Sequence, residues 1–140
     1  MDKLITIEGI KLTPLKIIKD ERGAVMHMLR SDSPLFKSFG EIYFSVVNPG
    51  VTKGWKKHKE MIQNFAVPHG NMKFTFIDER NDSPTKNNRF DITIGVDNYC
   101  LLQVPANIWY AFAAVGATPA MIANCASIPH DPNESETKPL

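Results

Sequence analysis

The sequence is poor in the residues that mark several common classes of protein. Only two of its 140 residues are cysteines, and no Cys-x-x-Cys spacing occurs, which argues against a zinc ribbon or a redox motif. No apolar run approaches the length of a membrane span, and the N-terminal MDKLITIEGI lacks the charged-then-apolar order of a signal peptide. Repeats, heptads and a glycine-rich phosphate loop are also missing. We therefore expect a cytoplasmic protein whose cysteines, Cys100 and Cys125, are buried free thiols.

Charge of either sign is not in excess. The chain has 16 Lys and Arg against 15 Asp and Glu, a net charge of +1, so bulk electrostatics favours neither a nucleic acid nor an acidic membrane as partner. Any anion must be bound locally. At 43% hydrophobic and 22% charged, the composition is typical of a soluble globular protein, and the length predicts a single domain over residues 1–140.

Short alternating or β-branched segments recur along the chain, separated by turn residues. They predict strands at residues 3–7, 10–18, 24–29, 41–47, 71–77, 89–96, 99–104, 108–115 and 119–127. The last segment is alanine-rich and a helix is the alternative; we favour a strand because it is short and follows a run of strands. Pro14 suggests a sheet edge. This pattern predicts an all-β sandwich or barrel, most simply a double-sheet jelly roll.

Two segments fall outside that strand pattern. Ser33 and Pro34 begin a candidate helical turn, in which the serine caps and the proline takes the first position. Residues 128–140 are proline-rich and polar, and we expect them to form a surface tail.

Residues 50–70, GVTKGWKKHKEMIQNFAVPHG, carry the densest cluster of functional side chains. Two interpretations are open. The stretch is either a cationic, histidine-bearing strand pair that floors a pocket, or a basic edge strand whose lysines discourage edge-to-edge aggregation.

The spacing within this stretch resembles the first motif of the cupin family. That motif has a glycine, two histidines separated by one residue, a glutamate and a closing glycine; the matching positions here are Gly50, Lys56, His58, Gln63 and Gly70. The second cupin motif, proline to histidine over six positions, is matched by residues 105–110, PANIWY. The resemblance implies a cupin-type double-stranded β-helix barrel.

Metal chemistry does not fit these substitutions. Of the four cupin ligand positions only His58 keeps a ligating residue, and Lys56 and Gln63 are poor ligands for a divalent ion. We expect no metal and no cofactor.

Further signatures resemble the dTDP-4-dehydrorhamnose 3,5-epimerase family, a cupin branch that normally works without metal. They are the turn at 20–23 (DERG), residues 53–56 (KGWK), the spacing from 70 to 80, residues 83–85 (SPT) and residues 105–112. The resemblance implies a nucleotide-sugar substrate and a homodimer that pairs sheet against sheet and exchanges N-terminal strands.

The chain departs from this family at positions that matter for catalysis. The family's histidine base is Lys56 here, an expected lysine is Gln63, and Tyr110 takes the histidine of the second motif. The family's acid tyrosine has no clear counterpart in residues 121–127. We also expect the C-terminal region that carries the aspartate partner of the base to be missing.

The family reaction removes a proton beside the C4 ketone and returns one from the opposite face, which requires a base, an acid and a donor to the enolate oxygen. His58 is the predicted base, because imidazole titrates near neutrality; otherwise it is a hydrogen-bonded wall residue. Lys56 lies two residues earlier and points the same way. It is predicted to stay cationic beside an enolate or phosphate, or else to be a solvated edge lysine. Tyr110 is a proton donor, an enolate partner or a core tyrosine.

Substrate contacts are predicted for five further side chains: Arg22, Lys53, Gln63, Trp55 and Arg80. The resemblance implies that Arg22 binds the diphosphate through its planar fork; the alternative is a turn-stabilising role. Gln63 suits a sugar hydroxyl, Trp55 a stacked ring or the core, and Arg80 either a structural role or a position near the phosphates.

The resemblance therefore predicts 3,5-epimerisation or ketoisomerisation of a dTDP-4-keto-6-deoxyhexose in surface polysaccharide biosynthesis. The alternative is a non-catalytic cupin module that binds a sugar nucleotide or a glycan.

Overall fold

The computed structural model describes residues 4–140, which form twelve β-strands and two single-turn 3-10 helices. The strands are β1 (Lys11–Pro14), β2 (Ile17–Asp20), β3 (Gly23–Met26), β4 (Glu41–Val47), β5 (Thr52–His58), β6 (Gln63–His69), β7 (Asn71–Ile77), β8 (Arg89–Gly95), β9 (Cys100–Val104), β10 (Trp109–Ala114), β11 (Ala120–Ala126) and β12 (Ser135–Thr137). The 3-10 helices are Val96–Asn98 and Pro132–Glu134.

Ten strands build two five-stranded antiparallel sheets that face each other. Sheet I has the order β1-β9-β6-β11-β4, and sheet II has the order β12-β5-β10-β7-β8. From β4 onward the chain crosses repeatedly from one sheet to the other, which is the winding of a jelly roll. The all-β jelly-roll class predicted from the sequence is confirmed, and the segment at 119–127 is a strand, as favoured.

Strand alternation fills the space between the sheets. In β7, Met72, Phe74 and Phe76 are completely buried, while Asn71 and Lys73, on either side of Met72, are exposed. The rings of Phe74 and Phe76 stack with centroids 5.9 Å apart. Such inward-facing aromatic side chains dominate the energy of burial, and they close this part of the barrel interior.

Residues 50–70 form two strands, as in the first of the two interpretations, but β5 and β6 do not pair with each other. β5 lies in sheet II between β10 and β12, whereas β6 lies in sheet I between β9 and β11. The two strands therefore place their side chains on facing walls of the interior.

The N-terminal region differs from the prediction. Lys3 lies outside the described residues, and residues 4–7 form no strand, although Ile7 is buried. The extended segment at 10–18 is divided between β1, which belongs to sheet I, and β2, which pairs with β3 in a separate two-stranded sheet. β1 with Pro14 is at the edge of sheet I, as predicted. Ser33 begins a single turn, with its hydroxyl 3.2 Å from the amide of Leu35.

The C-terminal segment is not simply a surface tail. β12 pairs antiparallel with β5, with Ser135 opposite His58. Glu134, immediately before β12, is only 6% exposed. The polar, proline-rich composition of residues 128–140 hides this outcome, because the segment is held by strand pairing and one buried carboxylate rather than by apolar residues.

Both cysteines are buried free thiols, as expected, and burial raises the pKa of Cys100 to about 11. Within residues 4–140, no helix has the length and apolar character needed to cross a bilayer.

Candidate active site

A cavity of about 230 Å³ lies between the two sheets. Its polar lining from sheet I is Tyr43, Ser45, Gln63 and Asn124, and from sheet II it is Lys53, Lys56 and Tyr110. Phe65, Phe112 and Ile122 supply apolar surface. A few polar groups that converge on an apolar hollow are typical of a small-molecule site.

A β-bulge turns both lysines toward this cavity. Tyr110 pairs with Lys56 and Phe112 pairs with Lys53, so the register shifts by one residue around Trp55. Residues three apart in a regular strand point to opposite faces. The extra residue of the bulge corrects that parity, and the two lysines share the face on which Tyr110 and Phe112 line the cavity.

Gly54 is required because β10 lies very close to β5 at this position. A Cβ at this position would lie 2.5 Å from the Cβ of Ala111, and the φ of +147° is one that other residues rarely adopt. The bulge and the two lysines beside it therefore depend on this glycine.

Three side chains of β5 become progressively less exposed to solvent along the strand. Lys53 is exposed, Lys56 is half-buried and His58 is 4% exposed. The Lys53 ammonium donates to the carbonyl of Val46 at 2.9 Å and to the hydroxyl of Ser45 at 3.3 Å, which ties sheet II to β4. Within residues 4–140, Lys56 donates no side-chain hydrogen bond, so its ammonium remains available to a ligand.

At the inner end of this series, Glu134, His58 and Tyr110 form a buried chain of hydrogen bonds, called here the relay. The carboxylate of Glu134 contacts Nδ1 of His58, and Nε2 of His58 lies 3.2 Å from the hydroxyl of Tyr110. The second carboxylate oxygen of Glu134 accepts 3.0 Å hydrogen bonds from the amides of Glu60 and Met61. Only Tyr110 of the three lines the cavity.

The charges of the relay follow from its surroundings. Burial by itself would raise the pKa of Glu134, but the hydrogen bonds from His58, Met61 and Glu60 hold that pKa below its ordinary value. Burial lowers the pKa of His58, against the opposing effect of Glu134. The resting state is thus a carboxylate beside a neutral imidazole, whose Nδ1–H donates to Glu134 and whose Nε2 accepts from Tyr110.

Gln63 fixes the phenol of Tyr110 from sheet I. Its amide nitrogen donates to the Tyr110 oxygen at 3.0 Å, and the amide is 2% exposed. Burial raises the pKa of Tyr110. The phenol therefore keeps its proton at rest and directs it toward His58.

Of the eight residues predicted from the sequence, the structure brings together Lys53, Lys56, His58, Gln63 and Tyr110. Three predicted substrate contacts do not line the cavity. Arg22 lies in the turn between β2 and β3 with 83% of its side chain exposed and pairs with Asp20 at 2.5 Å. Trp55 lies at the bulge, 6.0 Å from the Lys138 ammonium.

Arg80 has the structural role that was one of its two predicted alternatives, and it does not contact the cavity. Its guanidinium donates to the buried Asp78 at 2.9 Å and to the carbonyl of Glu8 at 2.7 Å. Asp78 also accepts from Ser83 and Thr85. Arg80 thus holds the loop after β7 rather than the cavity wall, because an adjacent buried carboxylate occupies its planar fork.

Sequence reasoning missed Tyr43, Ser45, Asn124 and Glu134. In β4 the polar Tyr43 and Ser45 alternate with the exposed apolar Ile42, Phe44 and Val46, and this inverted pattern was the available signal. Glu134 had no such signal, since it meets His58 across 76 residues. Among the described residues, no three His, Cys, Asp or Glu side chains cluster as a metal site.

Comparison with known proteins gives relatives of one kind, although no family model matches the chain. A probable low-salt glycan biosynthesis epimerase of Haloferax volcanii is 31% identical over 120 residues, covering 84% of this chain and 77% of the relative. A spore coat polysaccharide biosynthesis protein of Bacillus subtilis is 29% identical over 132 residues, covering 94% and 87%. The crystal structure of a dTDP sugar isomerase from Desulfovibrio desulfuricans superposes with a TM-score of 0.95 at 50% identity, covering 99% of this chain and 88% of that one.

Proposed function

Because this chain belongs to the cupin-fold family of dTDP-sugar epimerases and isomerases, we propose that its cavity moves protons beside the ketone of a nucleotide-linked 4-keto sugar. Its relatives serve glycan and polysaccharide biosynthesis. The observation that carries the proposal is the relay, which ends in a phenol on the cavity wall and begins in a buried carboxylate.

In the proposed first step, the Tyr110 oxygen accepts the proton from the carbon next to the ketone. Its own hydroxyl proton passes at the same time to Nε2 of His58, which becomes an imidazolium next to the Glu134 carboxylate. The broken C–H bond leaves its electron pair in an enolate. A general base with an oriented partner typically contributes about 10²–10⁴-fold to such a step.

Lys56 completes the chemistry as the cation for the enolate oxygen. Its ammonium shares the cavity face with Tyr110 and is not used by other described side chains. A cation placed where negative charge develops stabilises the transition state more than the ketone. Gln63 holds Tyr110 in position by donating to its oxygen.

The cavity is large enough for only one part of a nucleotide-sugar substrate. About 230 Å³ is below the roughly 300–1,000 Å³ of sites that enclose whole ligands. The sugar ring therefore occupies the cavity, and the nucleotide lies across its mouth. In this proposal Lys53, the outermost lysine of β5, meets the diphosphate.

We also propose that the protein is a cytoplasmic homodimer. The β2–β3 hairpin belongs to neither sheet and exposes 55% of Ile18 and 60% of Val25, and a second copy would cover this apolar surface. In such a dimer Arg22, at the tip of the hairpin, would reach the partner's cavity mouth. Buried free thiols fit a reducing compartment.

The test is incubation of the protein with dTDP-4-keto-6-deoxyglucose in deuterated water, with deuterium at C3 and C5 followed by NMR. We expect uptake that falls at least about 10²-fold in Tyr110→Phe and His58→Asn. Tyr99→Phe, a buried tyrosine outside the cavity, is the matched control. Nucleotide binding without any uptake in the wild-type protein would instead support the non-catalytic sugar-nucleotide module.

A further inference from the structure

The cavity has a second phenol, on the wall opposite Tyr110. Tyr43 lies on β4 of sheet I and lines the cavity, whereas Tyr110 lies on β10 of sheet II. A sugar ring between two facing sheets presents one face to each of them. The two phenols are therefore placed on different sides of such a ring.

The hydroxyl of Tyr43 is oriented by a buried amide. Asn124, directly opposite Tyr43 on β11, donates from its side-chain nitrogen to the Tyr43 oxygen at 2.9 Å. The carbonyl oxygen of Asn124 in turn accepts from the backbone amide of Asn64 at 3.2 Å, and Asn124 is 1% exposed. Because the amide cannot rotate without losing one of these bonds, it fixes the Tyr43 oxygen as an acceptor and leaves the phenol hydrogen free to point elsewhere.

Tyr43 is in the protonation state that a proton donor requires. Burial raises its pKa, while hydrogen bonds with Asn124 and Gln63 oppose the shift. The phenol is protonated at neutral pH, and the same two amides are in place to stabilise the phenolate that remains after a proton has left. Gln63 is the amide that donates to the Tyr110 oxygen, so it lies close to both phenols.

We infer that Tyr43 is a second catalytic residue, which returns a proton to the enolate carbon from the face opposite Tyr110. The inference rests on the proposed function and adds that the reaction inverts the carbon. In the second step the O–H bond of Tyr43 breaks, a new C–H bond forms with the enolate electron pair, and the ketone is restored. The Tyr43 phenolate then takes a proton from water, and the relay releases its proton to water, so no other reactant is needed.

This arrangement separates two reactions that share an enolate. Tyr110 alone removes and returns a proton on one face, which exchanges hydrogen without inverting the carbon. Inversion requires a donor on the other face. The geometry therefore assigns exchange to the relay and inversion to Tyr43.

The test compares Tyr43→Phe with the wild-type protein on dTDP-4-keto-6-deoxyglucose in deuterated water, with deuterium uptake and inverted product measured in the same samples. We expect Tyr43→Phe to retain uptake within about 3-fold and to lose inverted product by at least about 10²-fold. Asn124→Ala should lower inversion in the same selective way by a smaller factor. Tyr99→Phe should change neither, and thermal unfolding confirms that each variant folds.

Each other outcome overturns the inference. If uptake and inversion fall together in Tyr43→Phe, the residue is structural; if both persist, it is a bystander. A wild-type protein that exchanges hydrogen without inverting any carbon keeps the proposed proton transfer but removes the role of Tyr43. A wild-type protein with no uptake removes both proposals.

Discussion

His58 and Glu134 are 76 residues apart in the chain and meet through a hydrogen bond in which both side chains are almost completely buried. Strand pairing explains how they meet, since Ser135, next to Glu134, lies opposite His58. The contact supplies the carboxylate partner that the C-terminal sequence was expected to lack. Here a glutamate from the segment before β12 provides it.

Glu134→Gln tests the charge of that partner. We expect the rate of deuterium uptake by substrate to fall about 10²–10⁴-fold, because a neutral amide cannot stabilise the imidazolium and its NH₂ group faces backbone donors. The control is Glu136→Gln, which removes a half-exposed carboxylate paired with Lys57 and should leave the rate unchanged. Equal rates for Glu134→Gln and the wild-type protein would exclude the relay.

The buried imidazole also predicts how stability depends on pH. The pKa of His58 is below its ordinary value of 6.5 in the folded protein, so the unfolded chain binds the proton first. Its contribution to the free energy of unfolding is present above pH 6.5 and is lost as the pH falls below that value, by up to about 1.4 kcal/mol per pH unit. Denaturant titrations of His58→Gln should show a smaller loss in this window. The exposed His69, changed to Gln, should reproduce the wild-type curve.

We expect substitution of the two cavity lysines to change different kinetic constants. Lys53→Met is expected to raise the KM about 10-fold with little change in kcat, because in the proposed complex this exposed cation binds the diphosphate equally in the ground state and the transition state. Lys56→Met is expected to lower kcat about 10²-fold, because in the proposed mechanism the Lys56 ammonium stabilises charge that develops only during the reaction. Lys73→Met, an exposed lysine of β7, is the charge-matched control. The reverse pattern would exchange the two roles.

Arg80→Ala should affect stability and not chemistry. Its partner Asp78 is completely buried, and removal of the guanidinium leaves that carboxylate without its cation, at a cost of about 3 kcal/mol in the free energy of unfolding. Arg89→Ala removes a pair whose arginine is 60% exposed and should cost less than about 1 kcal/mol. Chemical denaturation measures both values. A rise in the substrate KM of Arg80→Ala at unchanged stability would instead restore the alternative in which Arg80 lies near the phosphates.

The exposed hairpin predicts the state of assembly. The double variant Ile18→Glu and Val25→Glu puts two charges on the apolar surface of β2 and β3, and we expect the mass in light scattering to fall from a dimer to a monomer. Val115→Glu changes an exposed valine outside the hairpin and should remain dimeric. If the wild-type protein is a monomer, Arg22 has no route to a cavity.

The strands of the two sheets could be predicted because the alternation of apolar and polar residues identifies the buried face of each strand from its own sequence. Phe74 and Phe76 in β7 are an example, since their period of two already places them on one face. The same periodicity failed around Trp55, where a bulge puts Lys53 and Lys56 on one face although their spacing predicts opposite faces. No local pattern gives such a shift, because it depends on how closely β10 approaches at Gly54.

The missed parts of the site come from contacts between distant segments. Tyr43 meets Asn124 only because β4 pairs with β11, and neither residue marks a motif. The glutamate that meets His58 lies in a segment whose composition indicates a solvated tail. By contrast, His58 and Tyr110 were identifiable because both occupy motif positions of known spacing.

β12 has three residues and forms one edge of sheet II. Detachment of this short edge strand would withdraw the acidic side chain just before it and leave the other nine strands of both sheets in place. Edge segments of this kind open at a lower free energy than the core does. The protein can therefore lose the carboxylate on which the proposed proton transfer depends while it remains folded, so a folded barrel does not by itself show that the site is complete.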